Sequence, residues 1–232
     1  VRGFVTLLFI VAAHAASGAS VSINPVRLNL GAQQPVGSLS LTNQGTEPVV
    51  LQLDVAAWTQ SDGQDVDTPT DDLLATPPMV SIAPGATQLV RVGLRHPAPS
   101  AQERSYRLFL QEIPNETVAN TSALQFRLRF AVPVFVPTAD TSDPSLIWDA
   151  SESNGTLTVR AHNASSRHVQ VISMSTHAGD ANVLTSAAPS YVLPGQTRAW
   201  TSSWSATPAD ALRVEASTDA GPMHADLRAP SR

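Results

Sequence analysis

Apolar residues recur at every second position in many short runs along this chain. Val21 and Ile23, then Val26, Leu28 and Leu30, Leu39 and Leu41, Val49 through Val55, and Val90, Val92 and Leu94 all follow that rhythm. Clusters such as Asn43-Gln44-Gly45, Ser61-Asp62-Gly63 and Pro84-Gly85 separate them. Period-two runs bounded by Gly, Pro, Asn and Asp predict half-buried strands joined by tight turns. Past residue 19 no window longer than about ten residues keeps a helical period. The expected class is all-β.

The longest run spans Leu124 to Val136. Its even positions, Leu124, Phe126, Leu128, Phe130, Val132, Val134 and Val136, form one apolar stripe, while the odd face begins Gln125, Arg127, Arg129. A strand of this length is more than twice the usual ~5–6 residues. Pro133 lacks an amide donor, which predicts an edge position or a bulge. An apolar edge strand normally invites aggregation, and a protein that keeps one can lend it to a partner with an incomplete sheet. Periodicity alone does not separate such a donor stripe, Leu124, Phe126, Leu128 and Phe130, from one packed in its own core.

Residues 137–144, PTADTSDP, have linker composition. A second series follows, with strands expected at Leu146–Trp148, Leu157–Ala161, His168–Ser173, Ala199–Trp204 and Leu212–Ala216. Each half has the size of an immunoglobulin-like domain. The expectation is two immunoglobulin-like β-sandwich domains, 20–137 and 145–232, joined by a short linker at 138–144.

Residues 1–19 read as a secretory signal peptide, with Arg2 as the basic end, Phe4 to Ala13 as the apolar segment and Ser17-Gly18-Ala19 as the cleavage region. The apolar segment is about half the ~20 residues a membrane-spanning helix needs, so the mature chain is expected to be exported without membrane insertion.

Composition then removes several functions. The 232 residues include 14 Lys plus Arg, all of them Arg, against 19 Asp plus Glu, for a net charge of −5, which argues against a nucleic-acid partner. The absence of Cys excludes disulfides, thiol catalysis and thiolate metal sites. The six His lack metal-ligand spacing and read as surface or turn residues, and Asp62, Asp65, Asp67, Asp71 and Asp72 read as a solvated loop. With no phosphate loop and no nucleophile elbow, no catalytic residue, metal or cofactor is expected. The sequons at Asn115, Asn120, Asn154 and Asn163 read as accidental, and Trp58, Trp148, Trp200 and Trp204 as core or domain-interface residues.

Five segments in order, VSINPVRLNL (21–30), LTNQGTEPVVLQLDVAAW (41–58), DLLATPPMVSIAPGATQLVRVGLR (72–95), ERSYRLFLQEIP (103–114) and LQFRLRFAVPVFVP (124–137), carry a resemblance. Together they resemble the periplasmic pilus-assembly chaperones of the chaperone-usher pathway, in the archaic or spore-coat-like branch. The second domain resembles that family in length and strand content. The resemblance implies a boomerang-shaped, non-enzymatic periplasmic chaperone whose long strand completes an incomplete pilin subunit. Basic cleft residues would anchor the pilin's C-terminal carboxylate, and an outer-membrane usher would receive the capped pilin. Arg27 matches the family's first-strand anchor. The second family anchor is a Lys near the end of the long strand, and here Val132 or Pro133 stands in its place. Arg129 is the nearest basic residue, with Arg127 and Arg91 as further candidates, although Arg127 and Arg129 equally suit a charged outward face. Two free copies could also cap each other's exposed strand as a homodimer. The competing reading is a secreted structural or adhesive β-sandwich protein, such as a pilus or coat subunit.

Overall fold

The computed structural model describes residues 20–96, 100–113, 127–140, 142–205 and 211–228. The signal segment 1–19 and the stripe residues Leu124 and Phe126 lie outside them. Every regular element among the described residues is a strand.

The first ten strands are β1 (Val21–Asn24), β2 (Leu28–Asn29), β3 (Val36–Asn43), β4 (Val49–Ser61), β5 (Gln64–Pro69), β6 (Leu73–Thr76), β7 (Met79–Ile82), β8 (Thr87–Leu94), β9 (Arg104–Glu112) and β10 (Arg129–Val136). They form a sheet in the order β1-β3-β8-β6, and a second in the order β2-β10-β9-β4-β5 with β7 also on β4. The remaining strands are β11 (Leu146–Ser153), β12 (Thr156–Asn163), β13 (Val169–Ala178), β14 (Ala181–Ser186), β15 (Ser190–Val192), β16 (Thr197–Ser203), β17 (Ala211–Thr218) and β18 (Gly221–Arg228). These pair as β11-β12-β16 and β14-β13-β17-β18, with β15 on β13. Among the described residues no ladder joins the first two sheets to the last two.

Alternation explains each layer. In β3 and β8 the buried positions include Leu39, Leu41, Val90 and Val92, and in β4 and β9 they include Leu51, Leu53, Leu108 and Leu110; all eight share one core. Trp148, Leu157, Val159, Val171, Leu212 and Val214 do the same in the second domain. The turns follow local chemistry. The β4–β5 and β11–β12 hairpins close on Asp62-Gly63 and Asn154-Gly155, all four residues at positive φ, as two-residue hairpin turns require.

Each domain is pinned by the same buried device, which the sequence reading did not find. Asn43 donates its amide to the carbonyls of Glu47 and Ile82 and accepts the N–H of Gly45, while Gly85 N–H donates to the Asn43 carbonyl. Asn163 repeats this pattern with Arg167, Val192, Ser165 and Gly195. The sequence signal is Asn-x-Gly/Ser followed by Pro-Gly-x-Thr, present at 43–45 with 84–87 and again at 163–165 with 194–197. Asn163 is fully buried, so its sequon marks a structural residue.

Two features position the site. The chain changes sheets between β1 and β2, through Pro25-Val26-Arg27: β1 pairs with β3, but β2 lies parallel to β10 at Leu28↔Val134 and Asn29↔Phe135. In β4 the buried side switches along the strand. Odd positions from Val49 to Leu53 enter the core, whereas Ala56, Trp58 and Gln60 are buried on the opposite face.

Candidate functional site

The pairing of β10 leaves one edge open. Glu112 N–H donates to the Leu128 carbonyl at 2.9 Å, and β9 continues in register along β10 to Arg104↔Val136. Antiparallel ladders alternate, so the even residues of β10 bond back to β9 and the odd residues aim their N–H and C=O at the other side. Consistent with that parity, Leu30 N–H donates to the Phe135 carbonyl at 2.8 Å. β2 covers only Val134 and Phe135. The N–H and C=O of Arg129 and Ala131 therefore face outward, with no strand assigned beside them among the described residues. Pro133 shares their parity, so its missing N–H costs the β9 ladder nothing.

Side chains divide the same strand three ways. Val132, Val134 and Val136 are buried in the first domain's core, and Phe130 is half-buried against it. Leu128 is half-buried just ahead of the strand, and its N–H donates to Glu112 Oε2 at 3.1 Å. The stripe thus divides: its C-terminal part belongs to the domain core, and Leu128 with Phe130 keeps surface for contact. On the odd face Phe135 is fully buried in a cluster with Trp58, Leu193 and Tyr191 that joins the two domains. The Phe135 ring stacks on His168 with centroids 3.7 Å apart. Gln60 extends the junction, donating to the Tyr191 carbonyl at 2.8 Å and accepting Leu193 N–H at 3.1 Å.

Beside the end of β10 the domains enclose a cleft of about 490 Å³ lined in part by Arg27, Glu103, Arg167, His168 and Asp219. Arg27, immediately before β2, donates to Asp219 Oδ2 at 3.4 Å. Asp219 sits in the β17–β18 turn, held there because Gln170 N–H donates to its Oδ1 and its own N–H returns a bond to Gln170. Burial raises the Tyr191 phenol above its ordinary pKa, and the neighbouring Arg27 offsets part of that rise.

Of the basic residues singled out in the sequence, Arg27 lines this cleft. Arg129 is exposed on the outer face of its sheet, with its guanidinium 4.4 Å from the Phe109 ring centre. Arg127 is exposed ahead of β10, and Arg91 is exposed on β8 in the other sheet.

Two expectations need correction. The acidic stretch at 62–72 is mostly the strand β5 rather than a loop, because the Asp62-Gly63 turn folds it back on β4. Two of its carboxylates are held in ion pairs: Asp65 accepts from Arg107 at 2.6 Å and from Arg198 of the second domain at 3.2 Å, and Asp67 accepts from Arg107 at 3.0 Å. Arg107 in turn lies 3.9 Å from the Trp58 ring centre. His168 is not a surface residue: it is stacked on Phe135, and its side chain is 11% exposed. No spacing rule could have found it, since its partners Glu103, Phe135, Tyr191 and Asp219 come from separate elements spread along the chain.

Burial pushes the Asp65 carboxyl up, but hydrogen bonds from Arg107 and Gln60 and the Arg107 charge outweigh it, leaving the group below its ordinary value of 3.8. A depressed carboxyl lends stability fully above its unfolded pKa and loses it as pH falls through the folded one. The domain junction is therefore expected to loosen below about pH 4, read as an acid shift of the calorimetric transition. Asp65→Asn should lose most of that shift, and an unaltered profile in that variant would contradict the assignment.

Comparisons with known proteins agree with this geometry. The family model described as pili and flagellar-assembly chaperone, PapD N-terminal domain, matches residues 20–141. A chain of the CsuC-CsuE chaperone-tip adhesion subunit pre-assembly complex, from the archaic chaperone-usher Csu pili of Acinetobacter baumannii, is similar with TM-score 0.72 and 19% identity, covering 92% of this chain and 100% of that one. The YadV chaperone follows at TM-score 0.64 and 19% identity, over 90% of this chain and 99% of that chain. A chain of the Salmonella enterica SafA pilin–SafB chaperone complex reaches 0.60 at 19% identity, over 91% and 98%. These likenesses establish the two-domain fold. The comparison with curated protein sequences found no match.

Proposed function

The chain belongs to the pili and flagellar-assembly chaperone family, and we propose that it acts in the periplasm, capping incomplete pilin subunits by donating the open edge of β10. The observation that carries this reading is the outward-facing backbone of Arg129 and Ala131, with half-buried Leu128 and Phe130 beside it. A strand added there gains main-chain hydrogen bonds from the edge and a place for its apolar side chains.

The position of Arg27 supports one direction for the client. Because β2 runs parallel to β10 with Leu28 opposite Val134, Arg27 comes level with Pro133, at the end of the open edge. A client strand lying on Arg127–Ala131 with its C-terminal carboxylate at Arg27 must run parallel to β10. It would lie end to end with β2. A guanidinium grips a carboxylate through two parallel hydrogen bonds and keeps its charge at any periplasmic pH. Arg129, over Phe109, would then touch the body of the client rather than its terminus.

The pilins seen in complex with relatives, SafA with SafB and the tip subunit with CsuC, support pilins as the client class. Capped subunits would pass to an outer-membrane usher, and two client-free copies could pair their open edges. Capping and release need no cofactor and break no covalent bond.

The test is co-expression of the tagged protein with candidate pilins, followed by affinity purification from the periplasm. A stoichiometric complex is expected. Arg27→Ala should weaken it by about 2–5 kcal/mol, much of that from leaving the client carboxylate buried and unpaired. Undiminished complex in that variant would move the anchor elsewhere. A folded protein that captures no candidate pilin would contradict strand donation.

A further inference from the structure

The open edge carries positive charge that the sheet behind it does not neutralise. Arg129 is the first residue of β10 and is exposed on the outer face of its sheet. Its neighbours across that face are neutral, Gln111 on β9 and beyond it Gln52 on β4. The carboxylates nearest in register are committed elsewhere: Glu112 Oε2 accepts the Leu128 N–H at 3.1 Å, and Asp54 accepts from the Gln52 amide at 3.1 Å. Arg129 instead lies over the Phe109 ring, 4.4 Å from its centre. Arg127 comes one pleat earlier and is also exposed. Among the described residues the arginine ion pairs use Arg27, Arg107, Arg160, Arg198 and Arg213, and neither arginine of the edge.

Resting on strand donation at this edge, we propose that Arg129, with Arg127 beside it, selects client strands that alternate apolar residues with acidic ones. Residues level with each other on adjacent strands share a face, so the client side chain beside Arg129 stands on the outer face, away from the client side chains that join Phe130. Opposite charges side by side on neighbouring strands stabilise the pairing, and like charges weaken it. With Gln111 on its other side, the one place left for a carboxylate in the row of Arg129 is the incoming strand. Stacking on Phe109 restricts the guanidinium in advance, so little side-chain freedom is lost when a carboxylate meets it. In a client running parallel to β10 the acids fall two residues apart, at the levels of Arg127 and Arg129. A basic residue at either level is repelled, which sets acidic-faced strands apart from other exported chains with free edges.

The probes are synthetic ten-residue peptides in which Val alternates with Glu, with Thr or with Lys. Binding is measured by fluorescence anisotropy near neutral pH, in about 20 mM and about 300 mM salt. At low salt the Glu peptide should bind roughly three- to tenfold more tightly than the Thr peptide, and the Lys peptide more weakly than either. The net charge of −5 by itself gives the opposite order, so this ranking reports the edge and not the whole protein. High salt should narrow the preference. Replacing both residues, Arg127→Gln with Arg129→Gln, should bring the Glu and Thr peptides level, and Arg127→Glu with Arg129→Glu should favour the Lys peptide. Arg91→Gln removes an exposed cation from the other sheet and should leave the ranking unchanged.

Equal binding of the Glu and Thr peptides by the wild-type protein, which needs no variant to fold, would overturn the proposal, as would a preference that survives the double Gln substitution. A charge that serves only to keep the free edge soluble predicts that result. Equal binding that Leu128→Glu abolishes would leave strand donation standing and remove the selection. Binding of no peptide, or binding indifferent to Leu128→Glu, would count against strand donation and the selection together.

Discussion

Leu128→Glu is expected to abolish client capture while the protein still folds. Leu128 lies ahead of β10, half-buried and outside the first domain's buried core, so a polar replacement meets water in the free protein. If β10 donates its edge as proposed, the same side chain enters the client's sheet in the complex. Burying a Leu contributes about 1.5–3 kcal/mol, and a carboxylate there adds a desolvation cost on top of losing it. Leu128→Ala separates the two effects, with an expected loss of roughly tenfold in affinity from burial alone. Circular dichroism and a thermal melt establish folding, and co-purification reads capture. Full capture by the Glu variant would place the client elsewhere.

Phe135→Ala should produce the largest loss of stability. The ring is fully buried between the domains, stacked on His168 and within 6.0 Å of the Trp58 ring centre and 5.5 Å of that of Tyr191. Truncating a buried Phe costs about 3–5 kcal/mol, because the cavity between two rigid sandwiches cannot close. For a chain of this size that corresponds to a fall of roughly 6–20 °C in melting temperature. Since the ring bridges two bodies, calorimetry should also resolve two transitions where the parent shows one. A single transition at the parental temperature would mean that the domains are held by Gln60, Asp65 and Glu103 without help from the aromatic cluster.

These two residues show what the sequence made legible. Of the run expected over Leu124–Val136, the period-two stripe matches the strand from Arg129 to Val136, its face and the edge character of Pro133, all set by neighbours along the chain; Arg127 and Leu128 precede the strand. It did not show that the stripe divides, with Val132 to Val136 kept by the domain core, because burial depends on which sheet lies opposite. The odd face begins polar and basic, yet Phe135 further along it joins the domains. Trp58 and Gln60 on β4 are buried there for the same reason. The acidic hairpin was misread because its partners, Arg107 and Arg198, are about forty and more than a hundred and thirty residues away. The repeated Asn and Pro-Gly-x-Thr motifs were readable as an internal duplication, and would have tied the second domain to the first without the structure.

The cleft chemistry depends most on distant pairings. Arg27 was visible through its motif, but its partner Asp219 and the stacked His168 come from the other domain and carry no local signature.

Amide hydrogen exchange across β10, with and without a bound pilin, tests strand donation most directly. In the free protein the N–H groups of Phe130 and Val132, which bond back to β9, should be protected, while those of Arg129 and Ala131 exchange rapidly. On capture Arg129 and Ala131 should become protected and Phe130 and Val132 should change little. A stoichiometric complex in which Arg129 and Ala131 still exchange as in the free protein would contradict the addition of a client strand to this edge.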